Sequence, residues 1–288
     1  MLKELDHVVM AVRDMAACLA LYGGELELAE LGRGEGDDGS EVCMLGIGPS
    51  ILELRQDAVA STAGEASAST RPVVDHFALL VENMDETYAV LKDRNIDFAN
   101  EPASTDIGHR NMQRTLAMFV DPTGFHVQLS ETIDPRPHLD ERKAAKRRMA
   151  GVAPGLFGGI DHISTYCADF GRTRAFFHET LGLEEFFHST TREAGLEVEA
   201  GFAQSAFAIG GTDIELATYA AGTSIGAGTV VQLGFRTDDI DRAYQTLQQS
   251  GVALDGPPAE SAPLADMRRS TFALHSPDGL RIQIAQTL

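Results

Sequence analysis

Tryptophan is absent from this 288-residue chain, and cysteine is scarce: Cys18, Cys43 and Cys167, with no Cys-x-x-Cys pair. An odd, scattered set argues against a disulfide framework and fits a reducing cytoplasm; the three thiols read as small buried hydrophobes. No apolar run is long enough to cross a bilayer, so no membrane association is expected. Met1-Leu2-Lys3-Glu4 leads straight into a strand-like pattern, which leaves no room for a signal peptide and makes a cytoplasmic location the expectation. Basic residues are in the minority, 23 Lys and Arg against 43 Asp and Glu, for a formal net charge of −20. That balance lacks the basic footprint that nucleic acid requires. It does not exclude an anionic substrate, because the field of a pocket can oppose the net charge. The glycine-rich loop at 32–39 has no G-x-G-x-x-G order after a strand and no following Gly-Lys, which excludes nucleotide binding there.

What the chain has instead is a repeat. Leu5-Asp6-His7-Val8-Val9 returns as Val74-Asp75-His76-Phe77-Ala78 and as Ile160-Asp161-His162-Ile163-Ser164, while a fourth copy, Val230-Val231-Gln232-Leu233, puts Gln where the others put His. Each copy precedes a helical stretch and closes on an apolar strand that carries one polar residue: Glu53, Gln128, Glu215 and Gln283 in turn. The repeats span 5–56, 73–131, 159–219 and 229–286. In the first, strand patterns over 7–12, 41–47 and 51–56 surround a helical stretch at 14–22, with Asp14 as its N-cap. The second follows suit, with strands over 74–81, 114–119 and 126–130 and a helix over 84–94. Asp121-Pro122-Thr123-Gly124 makes its last hairpin, and Ser276-Pro277-Asp278-Gly279 stands at the same place in the fourth. Between the halves, 134–158 reads as a connector: a short basic helix with Lys143, Lys146, Arg147 and Arg148, then a Gly/Pro-rich approach. The expected division is therefore 1–133, 134–158 and 159–288, close to the usual domain size.

A fixed polar side chain at the head and tail of every repeat is more than a core needs. It suggests strands that each deliver one ligand to a shared centre. The Asp-His openings, the Ile-x-Glu-Leu-like endings and the Asp-Pro-x-Gly turn together resemble the vicinal oxygen chelate superfamily, which includes glyoxalase I, methylmalonyl-CoA epimerase, extradiol dioxygenases and bleomycin-resistance proteins. The resemblance covers almost the whole chain apart from the connector. It implies an α+β fold of four βαβββ modules paired into two tandem, curled, mixed-sheet half-barrel domains. Each pair of modules would close around a metal held by one residue from the first and last strand of each module.

Carried over position by position, the resemblance gives the N-terminal domain His7, Glu53, His76 and Gln128 as ligands of one divalent metal ion (Fe, Mn, Co, Ni or Zn). The C-terminal domain receives His162, Glu215, Gln232 and Gln283, a poorer set. A degenerate site is expected there, in which His162 and Glu215 hydrogen-bond inside a structural barrel. Two imidazoles, a carboxylate and a weak amide leave positions for water or substrate, as a catalytic metal requires. The expected function is a metal-dependent enzyme acting on a small carbonyl- or hydroxyl-bearing molecule by chelation and proton transfer, of epimerase, isomerase or lyase type. Glu53 would serve as ligand and base, and His126, on the face of Gln128, as acid or base. Arg55, on the face of Glu53, and His109 and Arg110, in a loop-like segment, are candidate substrate contacts. Two alternatives stand beside this reading: an Fe(II)-dependent extradiol-type dioxygenase, and a metal-free small-molecule binding or resistance protein. Phe176-Phe177, Phe186-Phe187 and Tyr166 read as packing. A homodimer is compatible with the sequence, which leaves open whether the barrels pair within the chain or across a dimer.

Overall fold

The computed structural model describes residues 1–36, 38–57, 70–106, 113–133, 155–190, 203–218, 224–226, 228–262 and 267–288. Repeat one folds as β1 (Leu2–Ala11), α1 (Met15–Leu19) running on into a wider π-type turn (Ala20–Glu25), β2 (Ala29–Glu35), β3 (Glu41–Ile47) and β4 (Ser50–Gln56). A short strand β5 (Thr70–Pro72) precedes repeat two, which comprises β6 (Val74–Leu80), α2 (Met84–Asp93), β7 (Ala103–Asp106), β8 (Gln113–Val120) and β9 (His126–Ile133). Repeat three is β10 (Gly159–Cys167), α3 (Phe170–Ala175) with its own π-type extension (Phe176–Thr180), β11 (Glu184–Thr190), β12 (Ala203–Ile209) and β13 (Thr212–Thr218). After β14 (Ser224–Gly226), repeat four is β15 (Val230–Thr237), α4 (Ile240–Gln249), β16 (Ala259–Ser261), β17 (Arg269–His275) and β18 (Arg281–Thr287). The four helices of the described residues begin alike. Asp14, Asn83, Asp169 and Asp239 stand at the N-caps in extended conformation, and each side chain accepts from the N–H three residues on. The connector residues 134–154 lie outside the described part, and no helix of the described residues is long and apolar enough to cross a membrane.

The four βαβββ modules pair into two eight-stranded mixed sheets, an α+β fold. The two modules of one half, however, are not partners. One sheet runs β16-β17-β18-β15-β1-β4-β3-β2 and joins module one to module four; the other runs β11-β12-β13-β10-β6-β9-β8-β7 and joins module two to module three. Each joint is an antiparallel pairing of two opening strands, β1 with β15 and β10 with β6. The division into halves at 1–133 and 159–288 therefore describes the sequence repeat, while each sheet takes one module from each half. The two modules within each half meet through helix and turn instead. Tyr22, fully buried on the turn after α1, donates its hydroxyl to Asp121 of the β8–β9 turn at 2.8 Å. Thr173 of α3 donates to Asp278 of the β17–β18 turn at 2.6 Å. The turn motifs of modules two and four thus dock the helices of modules one and three.

Within each module the opening and closing strands run parallel in one constant register. Val9 stands beside Glu53, Ala78 beside Gln128, Ser164 beside Glu215 and Gly234 beside Gln283, always two residues past His7, His76, His162 or Gln232. The polar head and tail of every module are therefore set at one level of its sheet. Apolar residues fill the layers on either side, and the phenylalanines follow: Phe176, Phe177 and Phe187 are buried. The three cysteines are buried and unpaired.

Candidate metal centre

The opening strands share an irregularity that decides where their side chains point. In both antiparallel joints the register slips by one residue at Asp6, Asp75, Asp161 and Val231, each time immediately before the module's polar head residue. A bulge of this kind lets adjacent side chains serve one face. Asp75 consequently bonds His76 at Nδ1 (2.8 Å), Asp161 bonds His162 at Nδ1 (2.9 Å) and Asp6 bonds His7 at Nδ1 (2.7 Å). An ionised carboxylate only accepts, so in each pair the ring donates from Nδ1 and, when neutral, keeps a lone pair on Nε2.

The expected ligand set is divided by the sheet pairing. His7 and Glu53 lie in the first sheet with Gln232 and Gln283; His76 and Gln128 lie in the second with His162 and Glu215. The four residues His7, Glu53, His76 and Gln128 do not form one centre, and the C-terminal set is split the same way. The physical reason is that the opening strand of each module pairs across the halves of the chain.

The second sheet gathers two imidazoles, a carboxylate and an amide. His76 Nε2 and His162 Nε2 face each other at 3.3 Å, with the rings edge to face. With both Nδ1 atoms donating to aspartates, two lone pairs at that distance repel unless a cation or proton lies between them. The buried Oε1 of Gln128 has no hydrogen-bond partner, one of only two such side-chain atoms among the described residues. An orphaned acceptor of this kind costs about 1–3 kcal/mol unless something binds it. Glu215 accepts from Arg114 Nη1, and Arg114 also reaches Asp213 (3.0 Å, Nη2) and Asp161 (3.5 Å, Nε) at 0 % exposure. Burial pushes the Glu215 carboxyl up, but Arg114 and the two imidazoles outweigh it and hold the group at about 2. Burial likewise pushes His162 below the usual histidine range, towards the neutral, ligating form. Among the described residues no three His, Cys, Asp or Glu side chains already converge on one point, and Glu215 is paired with Arg114. The donor set nevertheless fits a divalent cation: two Nε2 lone pairs, an unpartnered amide oxygen and a carboxylate that stays ionised.

The first sheet carries the same four positions with one imidazole instead of two, and that imidazole is committed. His7 Nε2 accepts from the Gln232 amide at 2.9 Å, and Gln232 Oε1 accepts from Arg281. Glu53 Oε1 accepts from Arg55 twice, at 2.8 and 3.2 Å. Opposite His7 stands Gly234, and a Cβ there would overlap the His7 ring, so the ring packs directly against the strand. This donor set does not fit a metal.

The profile of the Glyoxalase/Bleomycin resistance protein/Dioxygenase superfamily matches residues 4–129 and 159–284, nearly all of both halves. The chain belongs to this superfamily. No curated protein is significantly similar to it in sequence. Among solved structures, glyoxalase I from Zea mays superposes with a TM-score of 0.69 at 16 % identity, over 98 % of this chain and 92 % of that one. A putative dioxygenase from Bacillus subtilis gives a TM-score of 0.67 at 16 % identity, over 99 % and 85 %. These likenesses show the fold.

Within a superfamily chain so arranged, the other candidate residues scatter. His126 stands half-exposed in register with His76, its Nδ1 3.9 Å from Asp75. Arg55 belongs to the first sheet, paired with Glu53 and, at 2.8 Å, with Asp38. His109 and Arg110 lie outside the described residues. Residue patterns alone gave no role to Arg114, Asp213, Arg269 or Arg281. Two of these had a signal: Asp213 and Arg281 stand two residues before Glu215 and Gln283, on the same strand face. Nothing in the pattern of β8 distinguishes Arg114.

Proposed function

We propose that this protein is a metal-dependent enzyme that acts on a small carbonyl- or hydroxyl-bearing molecule by chelation and proton transfer, with His76, Gln128, His162 and Glu215 as its metal ligands. The observation that carries the reading is the unpartnered Gln128 Oε1 in the same sheet centre as the two facing Nε2 atoms. A divalent cation of the Fe, Mn, Co, Ni or Zn type would supply Lewis acidity to a substrate oxygen there. Asp75 and Asp161 hold the imidazoles in the tautomer that presents Nε2. Arg114 keeps Glu215 ionised, the form a metal ligand needs, and Glu215 takes over both parts that sequence patterns assigned to Glu53, ligand and acceptor of the proton from the carbon next to the carbonyl. His126, at the rim, exchanges protons with water. The test is solvent deuterium exchange into a panel of small α-hydroxycarbonyl compounds, with protein loaded separately with each metal. Exchange is expected with loaded wild type and is lost in Glu215→Gln. Exchange retained in that variant, or its absence with every metal, contradicts the proposal.

The triad His76, His162 and Glu215 also favours a second reading, Fe(II)-dependent dioxygen chemistry, because two histidines and one carboxylate are the ligands such iron sites use. Oxygen consumption by the Fe(II)-loaded protein with a catechol would select it over proton transfer.

A further inference from the structure

The first-sheet centre has a single imidazole, already bonded to Gln232, and it opens into a pocket of about 240 Å³. Three arginines, Arg55, Arg269 and Arg281, line it together with one carboxylate residue, Glu53, and with Val9 and Val231. In a chain of net charge −20, three arginines meeting in one cavity set a local field opposite to that of the whole molecule. Two of them already hold carboxylates: Arg55 grips Glu53, and Arg269 reaches Asp6 at 3.1 Å. Arg281 bonds the neutral oxygen of Gln232, and its Nε meets a carboxylate only at 3.7 Å, that of the half-exposed Asp255. Its charge is the least compensated of the three.

The changes that remove the metal set all act in one direction. Where the other opening strands place an aspartate at the bulge, module four places Val231, which is 38 % exposed and faces the pocket. Where His76 and His162 offer lone pairs, Gln232 offers an amide that it donates to His7. Where module three has Asp213, module four has Arg281. Acceptors and a negative charge have given way to donors, a positive charge and an apolar wall.

We infer that the first-sheet pocket is a metal-free binding site for a small organic carboxylate, gripped by Arg281 with Arg269 beside it and with its apolar body against Val9 and Val231. A planar guanidinium matches a carboxylate in a two-pronged geometry. The site is separate from the metal centre and does not depend on that reading.

Calorimetric titration of the full-length protein with benzoate, and separately with inorganic phosphate, tests the inference. Benzoate is expected to bind at one site and to bind roughly ten- to hundredfold more weakly to Arg281→Met, the effect of losing one charge-assisted pair. Its affinity for His162→Ala is expected to match wild type. Phosphate is expected to compete more weakly, since it has no apolar body. Equal benzoate affinity in Arg281→Met, loss of binding in His162→Ala, tighter binding of phosphate than of benzoate, or no binding of either probe would each overturn the inference. Should Arg281→Met fail to fold, wild-type protein still decides the matter. Benzoate is expected to slow phenylglyoxal modification of Arg281, read by peptide mass, and an unchanged rate overturns the assignment.

Discussion

Arg114 is a full charge at 0 % exposure, surrounded by Asp161, Asp213 and Glu215. Burial opposes the charge, but the three carboxylates raise its hold on the proton. Replacing it by methionine would leave those carboxylates buried without their cation, so Arg114→Met is expected to lose about 3–5 kcal/mol of stability in a urea titration. A loss under about 1 kcal/mol would mean that water reaches the cluster. This residue was illegible in the sequence because its partners sit 99 and 101 residues away. The cysteines were legible. Burial, with nearby aspartates, pushes Cys18 and Cys167 up to about 12. Folded protein at pH 8 is expected to resist iodoacetamide at both, since the thiolate is the nucleophile, and to react fully once denatured. Alkylation of either in the native state, read by peptide mass, would contradict their burial.

Single elements explain why the repeat could be read at all. A strand that presents an imidazole to a centre needs an acceptor behind the ring, and the bulge before His7, His76 and His162 brings the preceding aspartate round to provide it. The Asp-His pair is the trace of that need in the sequence. The bulge itself left no trace, because pleat alternation alone puts neighbouring residues on opposite faces. Asp75→Asn would keep the shape but weaken the hold on His76, so metal affinity is expected to fall roughly ten- to a hundredfold. Competition against a chromophoric chelator measures this, and unchanged affinity would separate Asp75 from the centre. The helix starts were equally legible: Asp14 caps its helix as its position implies. Less so was the widening of that helix into a π-type turn over Ala20–Glu25, where fully buried Tyr22 reaches across to Asp121.

At the scale of the whole molecule, four similar modules can be joined in several ways, and nothing local in a strand names its partner. The family resemblance, carried over position by position, assigns modules one and two a shared centre. Instead β1 joins β15 and β6 joins β10, while the two modules of each half meet through a helix and a turn. The fold class survives this exchange because both pairings build the same eight-stranded sheet. The ligand set does not survive it. The exchange concentrates the good donors, His76, Gln128, His162 and Glu215, in one centre and leaves His7 and Glu53 among amides and guanidiniums. On the readings proposed above, one sheet would hold a cation and the other an anion.

The most direct test of this account is the metal content of wild type, His162→Ala and His7→Ala, each purified without chelators or a polyhistidine tag and loaded alike. The account predicts about one equivalent of metal in wild type and in His7→Ala, and loss of it in His162→Ala. Metal lost in His7→Ala and retained in His162→Ala would contradict it, and would return the centre to the first sheet.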